Sequence, residues 1–381
     1  MYTAASALFG ICFLVTVYVY FGYPALLASG FLARRKAIGK QPYQSTVSII
    51  VAAFNEERVI EQKITNLFKA DYPSDQMEIL IGDDGSTDRT GEIVGRFAKC
   101  GVRLIRGEVR RGKSAIQNDA VMASSGSLLV FTDADCLIES GVLRDVVDNF
   151  ADATVGLVTG TAAFLNSEQT EVTRNENLYS RYERWIRQQE SDRGLLAAAS
   201  GSLFAIRREL WNPIPHNVGD DFVLPLQVAL RGKRNILEPQ AVAWTSLPAQ
   251  DDSMFKVKKR IVSKDLRGLL LYGSILNPLR SGAVAVGLWS HKLLRWLIPY
   301  FLCIMFAMNL FLLHNRLFLI LLIAQILFYA SAVVGVTRKR KSTRFPWSVV
   351  LSFCVVNCAA MLGVFECIAN RSFAQWKPVR E

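Results

Sequence analysis

Three acidic pairs fall where short apolar runs end: Asp83 and Asp84 in IGDDGSTD, Asp133 and Asp135 in FTDADC, and Asp220 and Asp221 in VGDDFVLP. Asp133 and Asp135 are two residues apart, and the period of two in extended chain sends both carboxylates to one side. Two hard oxygen donors so placed suit Mg²⁺ or Mn²⁺, with substrate phosphates and water completing the shell. Capping a turn would need only one of them. Asp83 and Asp84 precede Gly85, which takes positive φ readily, and as acceptors they suit a pyrimidine N–H and ribose hydroxyls. Lys113 follows Arg110, Arg111 and Gly112 and offers a point charge at a helix start, where backbone N–H groups also favour an anion. A solvated basic face is the competing reading. Asp221 opens a helix between Gly219 and the apolar Leu224, Leu226 and Val228, and a carboxylate there can take a proton from an attacking hydroxyl. The helix dipole lowers its pKa, so a base role requires burial or the charge of Asp220 to oppose the dipole. The plainer reading makes both residues ordinary helix-start acids.

A scaffold must bring these loops together. Val47–Ala53 (VSIIVAA), rich in β-branched residues and apolar but for Ser48, suits a strand buried on both faces of a parallel sheet. Asn55 then caps a helix in ERVIEQKITNLFKA, where Val59, Ile60, Ile64, Leu67 and Phe68 recur at helical spacing. The alternation continues with a strand over 78–82, a helix over 88–99, the strand Val102–Arg106, a helix over 113–124 and the strand Leu128–Thr132. This predicts a doubly wound α/β unit whose loops, starting at Phe54, Asp83 and Asp133, converge on one crevice beyond the strands' carboxyl ends. The turn after the first strand holds neither GxGxxG nor a Walker glycine-lysine pair, which argues against dinucleotide or P-loop ATP binding.

With 20% charged residues, a mean hydropathy of +0.23 places part of the chain in lipid. Residues 1–33, 297–313, 317–337 and 345–365 carry no charge and predict four spans. The expected organisation is an N-terminal transmembrane anchor over 1–33, a soluble domain over 34–280, an interfacial helix over 281–296, and spans at 297–313, 317–337 and 345–369. The last of these is transmembrane or re-entrant, before a tail at 370–381. Basic residues cluster in 34–40, 256–267 and 338–344, each beside an apolar segment. That placement fits the positive-inside rule and anionic headgroups, not a nucleic-acid stripe. It puts the domain in the cytoplasm of a chain integral to the inner or plasma membrane. Seven cysteines without CxxC spacing imply no disulfide framework and no zinc site.

VSIIVAAFNEE, IGDDGSTD, GKSAIQN, FTDADC, SGSLFAIRREL and GDDFVLPLQVALRG, in that order, resemble the membrane-bound family 2 glycosyltransferases, the group containing cellulose, chitin and hyaluronan synthases. The resemblance covers about residues 46–267 plus the flanking spans. It implies a GT-A fold with a mixed, Rossmann-like sheet, a nucleotide-sugar donor that is usually a UDP-sugar, a divalent cation and inverting transfer. By that likeness Ala53, Asn55, Glu56, Asp83 and Asp84 serve the nucleotide, with Lys113 beside it. Asp133 and Asp135 hold ribose and metal-diphosphate, and Asp221 is the base with Asp220 next to it. Gly201 and Ser202 border the acceptor. Processive members carry QxxRW after the base, whereas the matching stretch here is Val257-Lys258-Lys259-Arg260-Ile261. Arg260 is retained to neutralise the leaving diphosphate, but the glutamine and the tryptophan platform are missing.

The likeness leaves the acceptor open between a lipid-linked molecule and a saccharide in envelope or exopolysaccharide synthesis, alongside other proteins of such a pathway. A processive polysaccharide synthase and an inactive nucleotide-sugar-binding protein are the alternatives, although the second would be expected to lose acids that are all present. His291 and Glu366 read as packing and headgroup-level residues, and Tyr179, Tyr182 and Trp185, at helical spacing, as packing aromatics.

Overall fold

In the computed structural model, which describes residues 2–166, 171–247, 251–337 and 347–370, eight strands form one sheet. They are β1 (Val47–Ala53), β2 (Met77–Asp83), β3 (Val102–Arg106), β4 (Leu128–Thr132), β5 (Leu137–Ile138), β6 (Val155–Phe164), β7 (Leu203–Arg207) and β8 (Arg234–Thr245), in the order β3-β2-β1-β4-β7-β6-β8-β5. The first four run parallel; β7 is antiparallel to β4 and β6, and β5 to β8, so the sheet is mixed. Every residue of β1 is buried. Ile60, Ile64, Leu67, Val142 and Val146 cover one face of the sheet, while Ala120, Val121, Val223, Leu224 and Val228 cover the other. Burial of each large aliphatic side chain stabilises these layers by about 1.5 to 3 kcal/mol.

Ala53 pairs with Asp83, so β1 and β2 end level. From β1 the chain winds outward through β2 and β3 and then crosses back to β4, which makes the gap between β1 and β4 the switch point where ligands bind in such sheets.

Two local expectations fail. Asn55 is not a helix cap: it takes φ +55°, the helix runs only over Ile60–Leu67, and Val59 occupies the capping position. The Asn55 side chain is committed elsewhere, since its Oδ1 accepts the Thr87 N–H at 2.9 Å. The next helix is also shorter, Thr90–Gly95, because Asp88 accepts the Thr90 N–H at 2.9 Å and starts it two residues late.

Among the described residues four helices are long and apolar enough to cross a membrane: Tyr2–Ser29, Ala283–Phe311, Arg316–Val334 and Val349–Ile368. The stretch 281–296 does not stand apart, because from Ala283 it runs through a π-helical turn, Leu288–Leu293, into the second of these. The basic run at 338–344 lies outside the described residues, as does the tail from 371. Helix Trp347–Ile368 crosses helix Asp251–Leu271 so closely that a Cβ on Gly363 would lie 2.7 Å from the Lys259 carbonyl oxygen. Glu366 there accepts from Lys259 at 2.9 Å. Helix Asp251–Leu271 therefore joins the sheet domain to the apolar helices.

Candidate active site

The loops after β1 and β2 are stitched into one wall. The Asn55 N–H donates to Ser86 Oγ at 2.9 Å and the Glu56 N–H to Thr90 Oγ1 at 2.7 Å. Asp84, whose own N–H bonds the Ala53 carbonyl, accepts from the N–H groups of Arg111 and Gly112 at 2.8 Å. Asp83 accepts from the Ser86 N–H at 2.9 Å and faces Arg106 at 3.6 Å. Both carboxylates are buried and hold loops; Arg110, stacked at 3.6 Å over the Phe54 ring, closes the wall.

Lys113 is no solvated face. Its Nζ lies 2.8 Å from Asp133 and 3.2 Å from Asp220, and although burial opposes it, these carboxylates raise its pKa well above the ordinary value. Asp220 also accepts from Gln117 at 2.8 Å; burial would raise its pKa, but Lys113 and Gln117 hold it below the usual carboxylate range.

Asp133, Asp135 and Cys136 place one ligand atom each within 4.8 Å of one another. Burial pushes the Cys136 thiol up to about 12, so it stays protonated at neutral pH and points at Asp135 across 3.7 Å. The usable donors are thus two carboxylates, an oxygen set that fits Mg²⁺ or Mn²⁺. Beneath this loop lies Lys63, fully buried, donating to Thr132 Oγ1 at 2.8 Å and to the Cys136 carbonyl at 2.6 Å. Thr132 in turn donates to the Ser202 carbonyl at 2.8 Å, which ties the Asp133 loop to the Gly201–Ser202 loop. Lys63 was missed in the sequence although it carried a signal: it is a lysine between Ile60, Ile64 and Leu67 on the apolar stripe.

Gly201 sits between the second and third acids. A Cβ there would lie 3.3 Å from Asp221 Oδ2 and 3.7 Å from Asp133 Oδ2, so a side chain at this position would crowd Asp221. Burial and the Asp220 charge hold Asp221 up at about 6, the opposition to the helix dipole that a base requires. Helix Asp251–Leu271 contributes three groups. Arg260 lies within electrostatic reach of Asp133 and Asp221; Lys264 is brought down to about 8 by burial and Arg260; Asp265 is raised well above the ordinary value by burial and Asp221. Lys264 and Asp265 escaped the sequence reading, although a spacing of four from Arg260 puts Lys264 on the same helix face.

Gly201 and Asp221 also line a cavity of about 690 Å³, walled by helices of the sheet domain and by the apolar helices. Tyr179 and Tyr182 do pack there, around Arg295, whereas Trp185 is exposed. His291 is buried with Glu183 at 2.9 Å and Glu190 at 2.8 Å from its two ring nitrogens, so carboxylates and not apolar neighbours hold it.

Residues 48–212 match the family described as glycosyl transferase family 2. The β-monoglucosyldiacylglycerol synthase of Nostoc sp. is 31% identical over 194 residues, which is 48% of this chain and 41% of that protein. The poly-β-1,6-N-acetyl-D-glucosamine synthase of Staphylococcus epidermidis is 23% identical over 220 residues, 56% of this chain and 53% of that one. The chain thus spans about half the length of the curated relatives it matches. The mannosyltransferase PcManGT of Pyrobaculum calidifontis, solved with GDP-Man and Mn²⁺, superposes with a TM-score of 0.73 over 96% of this chain and 100% of that one, at 23% identity. That likeness is one of fold, and its coverage takes in the apolar helices as well as the sheet.

Proposed function

We propose that this chain, whose residues 48–212 are a family 2 glycosyltransferase domain of GT-A fold, moves a sugar with inversion from a nucleotide-sugar to a hydroxyl presented from the membrane side. One observation carries this reading: Asp133 and Asp221 meet across Gly201, with Lys113 paired to Asp133, Arg260 and Lys264 within electrostatic reach of Asp221, and Gly201 and Asp221 lining a cavity that reaches the apolar helices. The nucleotide lies against the wall of Ala53, Asn55, Glu56, Asp83 and Asp84, where the two aspartates act by holding the Arg110–Lys113 turn in place. Asp133 and Asp135 would hold Mg²⁺ or Mn²⁺, which supplies positive charge to the diphosphate when bound. That the mannosyltransferase of like fold was solved with GDP-Man and Mn²⁺ supports the donor and metal class.

The acceptor oxygen attacks the anomeric carbon from the face opposite the diphosphate, and Asp221 takes its proton. The bond from that carbon to the diphosphate oxygen breaks, and a nucleoside diphosphate leaves toward Arg260 and Lys264, which balance its charge. Gly201 and Ser202 form the border over which the acceptor reaches. The acceptor is lipid-linked or a saccharide of the cell envelope, classes supported by the names of the curated relatives. The basic run at 34–40 supports a cytoplasmic catalytic domain. Polymer extension is the second reading; Ile261, where processive members carry the tryptophan, argues for single transfers.

Purified enzyme incubated with UDP- and GDP-sugars and a lipid extract should release nucleoside diphosphate only when both donor and extract are present. Binding of nucleotide without release under any combination would remove the transferase reading.

A further inference from the structure

The loop that carries Asp133 and Asp135 is held in shape largely from outside itself. Its own turn is closed by a long backbone bond, 3.3 Å from the Cys136 N–H to the Asp133 carbonyl. Helix Ile60–Leu67 supplies firmer anchors. Lys63 Nζ donates at one end of the loop to Thr132 Oγ1, at 2.8 Å, and at the other to the Cys136 carbonyl, at 2.6 Å. Three residues on, Asn66 Nδ2 donates to the Ile138 carbonyl at 2.8 Å, and its Oδ1 accepts the Ile138 N–H at 2.9 Å. Positions three apart share a helix face, so one face of this helix grips the chain at Thr132, Cys136 and Ile138. Between the two points that Lys63 holds lie only Asp133, Ala134 and Asp135.

Stability alone does not call for a lysine here. Its ammonium is fully buried and the two acceptors it reaches are neutral, so an apolar residue would suit this stripe better. The hydrogen-bond chemistry gives the reason. An ammonium only donates, so Thr132 Oγ1 accepts from it and keeps its one hydrogen for the Ser202 carbonyl, 2.8 Å away. The same lysine thus fixes the acid loop at both ends and directs a bond into the loop of Gly201, which borders Asp133 and Asp221.

We propose that Lys63 is a positioning residue for the transfer: it pre-forms the paired carboxylates of Asp133 and Asp135 for a divalent cation and, through Thr132, sets the Gly201–Ser202 border in register with them. Being fully buried, it acts through these loops and not on a substrate. This rests on the transferase reading and adds to it a link between the donor side and the acceptor side. The sign of one effect separates this role from that of a lysine that only stabilises the fold. Asp133 and Asp135 lie within electrostatic reach of the ammonium, so by Coulomb's law removal of its charge alone would favour a cation held by them. Loss of positioning acts in the opposite direction.

The test is Mn²⁺ binding by the full-length protein in detergent with UDP or GDP, read from the electron paramagnetic resonance signal of the free ion. Lys63→Met should weaken Mn²⁺ binding about tenfold or more and raise the Mn²⁺ concentration for half-maximal transfer by a like factor, with nucleotide binding in EDTA unchanged. Thr132→Val keeps the shape but removes one anchor and the bond to Ser202. It should weaken Mn²⁺ binding several-fold and raise the amount of lipid extract needed for half-maximal transfer, and Thr132→Ser should restore both. Unchanged or tighter Mn²⁺ binding in Lys63→Met would overturn the proposal, even with a lower melting temperature. So would Thr132→Val at wild-type values, or Thr132→Ser as impaired as Thr132→Val, and this pair decides alone if Lys63→Met does not fold. Wild-type protein that binds nucleotide no better with Mn²⁺ than in EDTA counts against the metal and transferase reading instead.

Discussion

Replacing Asp221 by Asn should make the protein more stable and nearly inactive at once. Burial and the neighbouring Asp220 charge hold the Asp221 carboxyl at about 6, against about 3.9 for an aspartate in an unfolded chain. The folded state therefore binds this proton more tightly than the unfolded state. The stability it contributes is fully present below about pH 4 and is lost as pH rises through 6. At pH 7.5 the ionised group is a burden of roughly 2 kcal/mol, after discounting for its partial exposure. Asn keeps the shape without the charge, so the variant should gain about 2 kcal/mol at pH 7.5, or roughly 4 to 8 °C in melting temperature, and nothing near pH 4. Turnover should fall by roughly 10² to 10⁴, and the rising limb of the wild-type pH–rate profile near 6 should vanish. Thermal unfolding in detergent at both pH values, with nucleoside diphosphate release as the rate assay, measures each part. A variant less stable than wild type at pH 7.5 would refute the electrostatic reasoning. Turnover within a few-fold of wild type would move the base elsewhere, Asp220 first.

Lys113→Met leaves the buried Asp220 carboxylate without its cation, so chemical denaturation should show a loss of about 3 kcal/mol, and calorimetry should show weaker nucleotide binding. Asp135→Asn should cost metal-dependent nucleotide affinity while leaving the melting temperature near wild type, and EDTA should abolish transfer until Mg²⁺ or Mn²⁺ is restored; full activity in chelator would remove the metal assignment. Cys100 is exposed and Cys136 buried, so with the other thiols replaced an impermeant maleimide should label Cys100 only after the cells are opened. Labelling of Cys100 in intact cells would reverse the orientation.

What could be read from the sequence follows from which interactions are local. An apolar run broken only by Ser48 in β1 identifies a strand covered on both faces, and acids at strand ends reach one crevice because parallel strands end on one side. The antiparallel insertion of β7 between β4 and β6 was not legible, since an apolar run carries no direction. The basic run over 256–267 misled for a related reason. Its charges read as attraction to headgroups, yet Lys258 pairs with Glu176, Lys259 with Glu366, and Arg260 and Lys264 lie within electrostatic reach of Asp221. Partners some 80 to 110 positions away in the chain (82 for Lys258 and 107 for Lys259) decide such roles.

The adjacent Asp220 and Asp221 show how far identical residues can be driven apart. One helical step separates them, and that step turns Asp220 to Lys113 and Gln117 but Asp221 to Gly201 and the cavity. Asp220 thereby stays ionised and becomes one of the charges that raise its neighbour. A lone aspartate at this helix start would feel the dipole and the lysine and would be too weak a base. The second carboxylate absorbs the lysine's charge, and the free one is left with a pKa close enough to neutrality to accept a proton from a hydroxyl. Asp220→Asn should therefore bring the rate limb of Asp221 below 6 without removing the group that takes the proton. A limb that stays in place would mean that burial alone sets it.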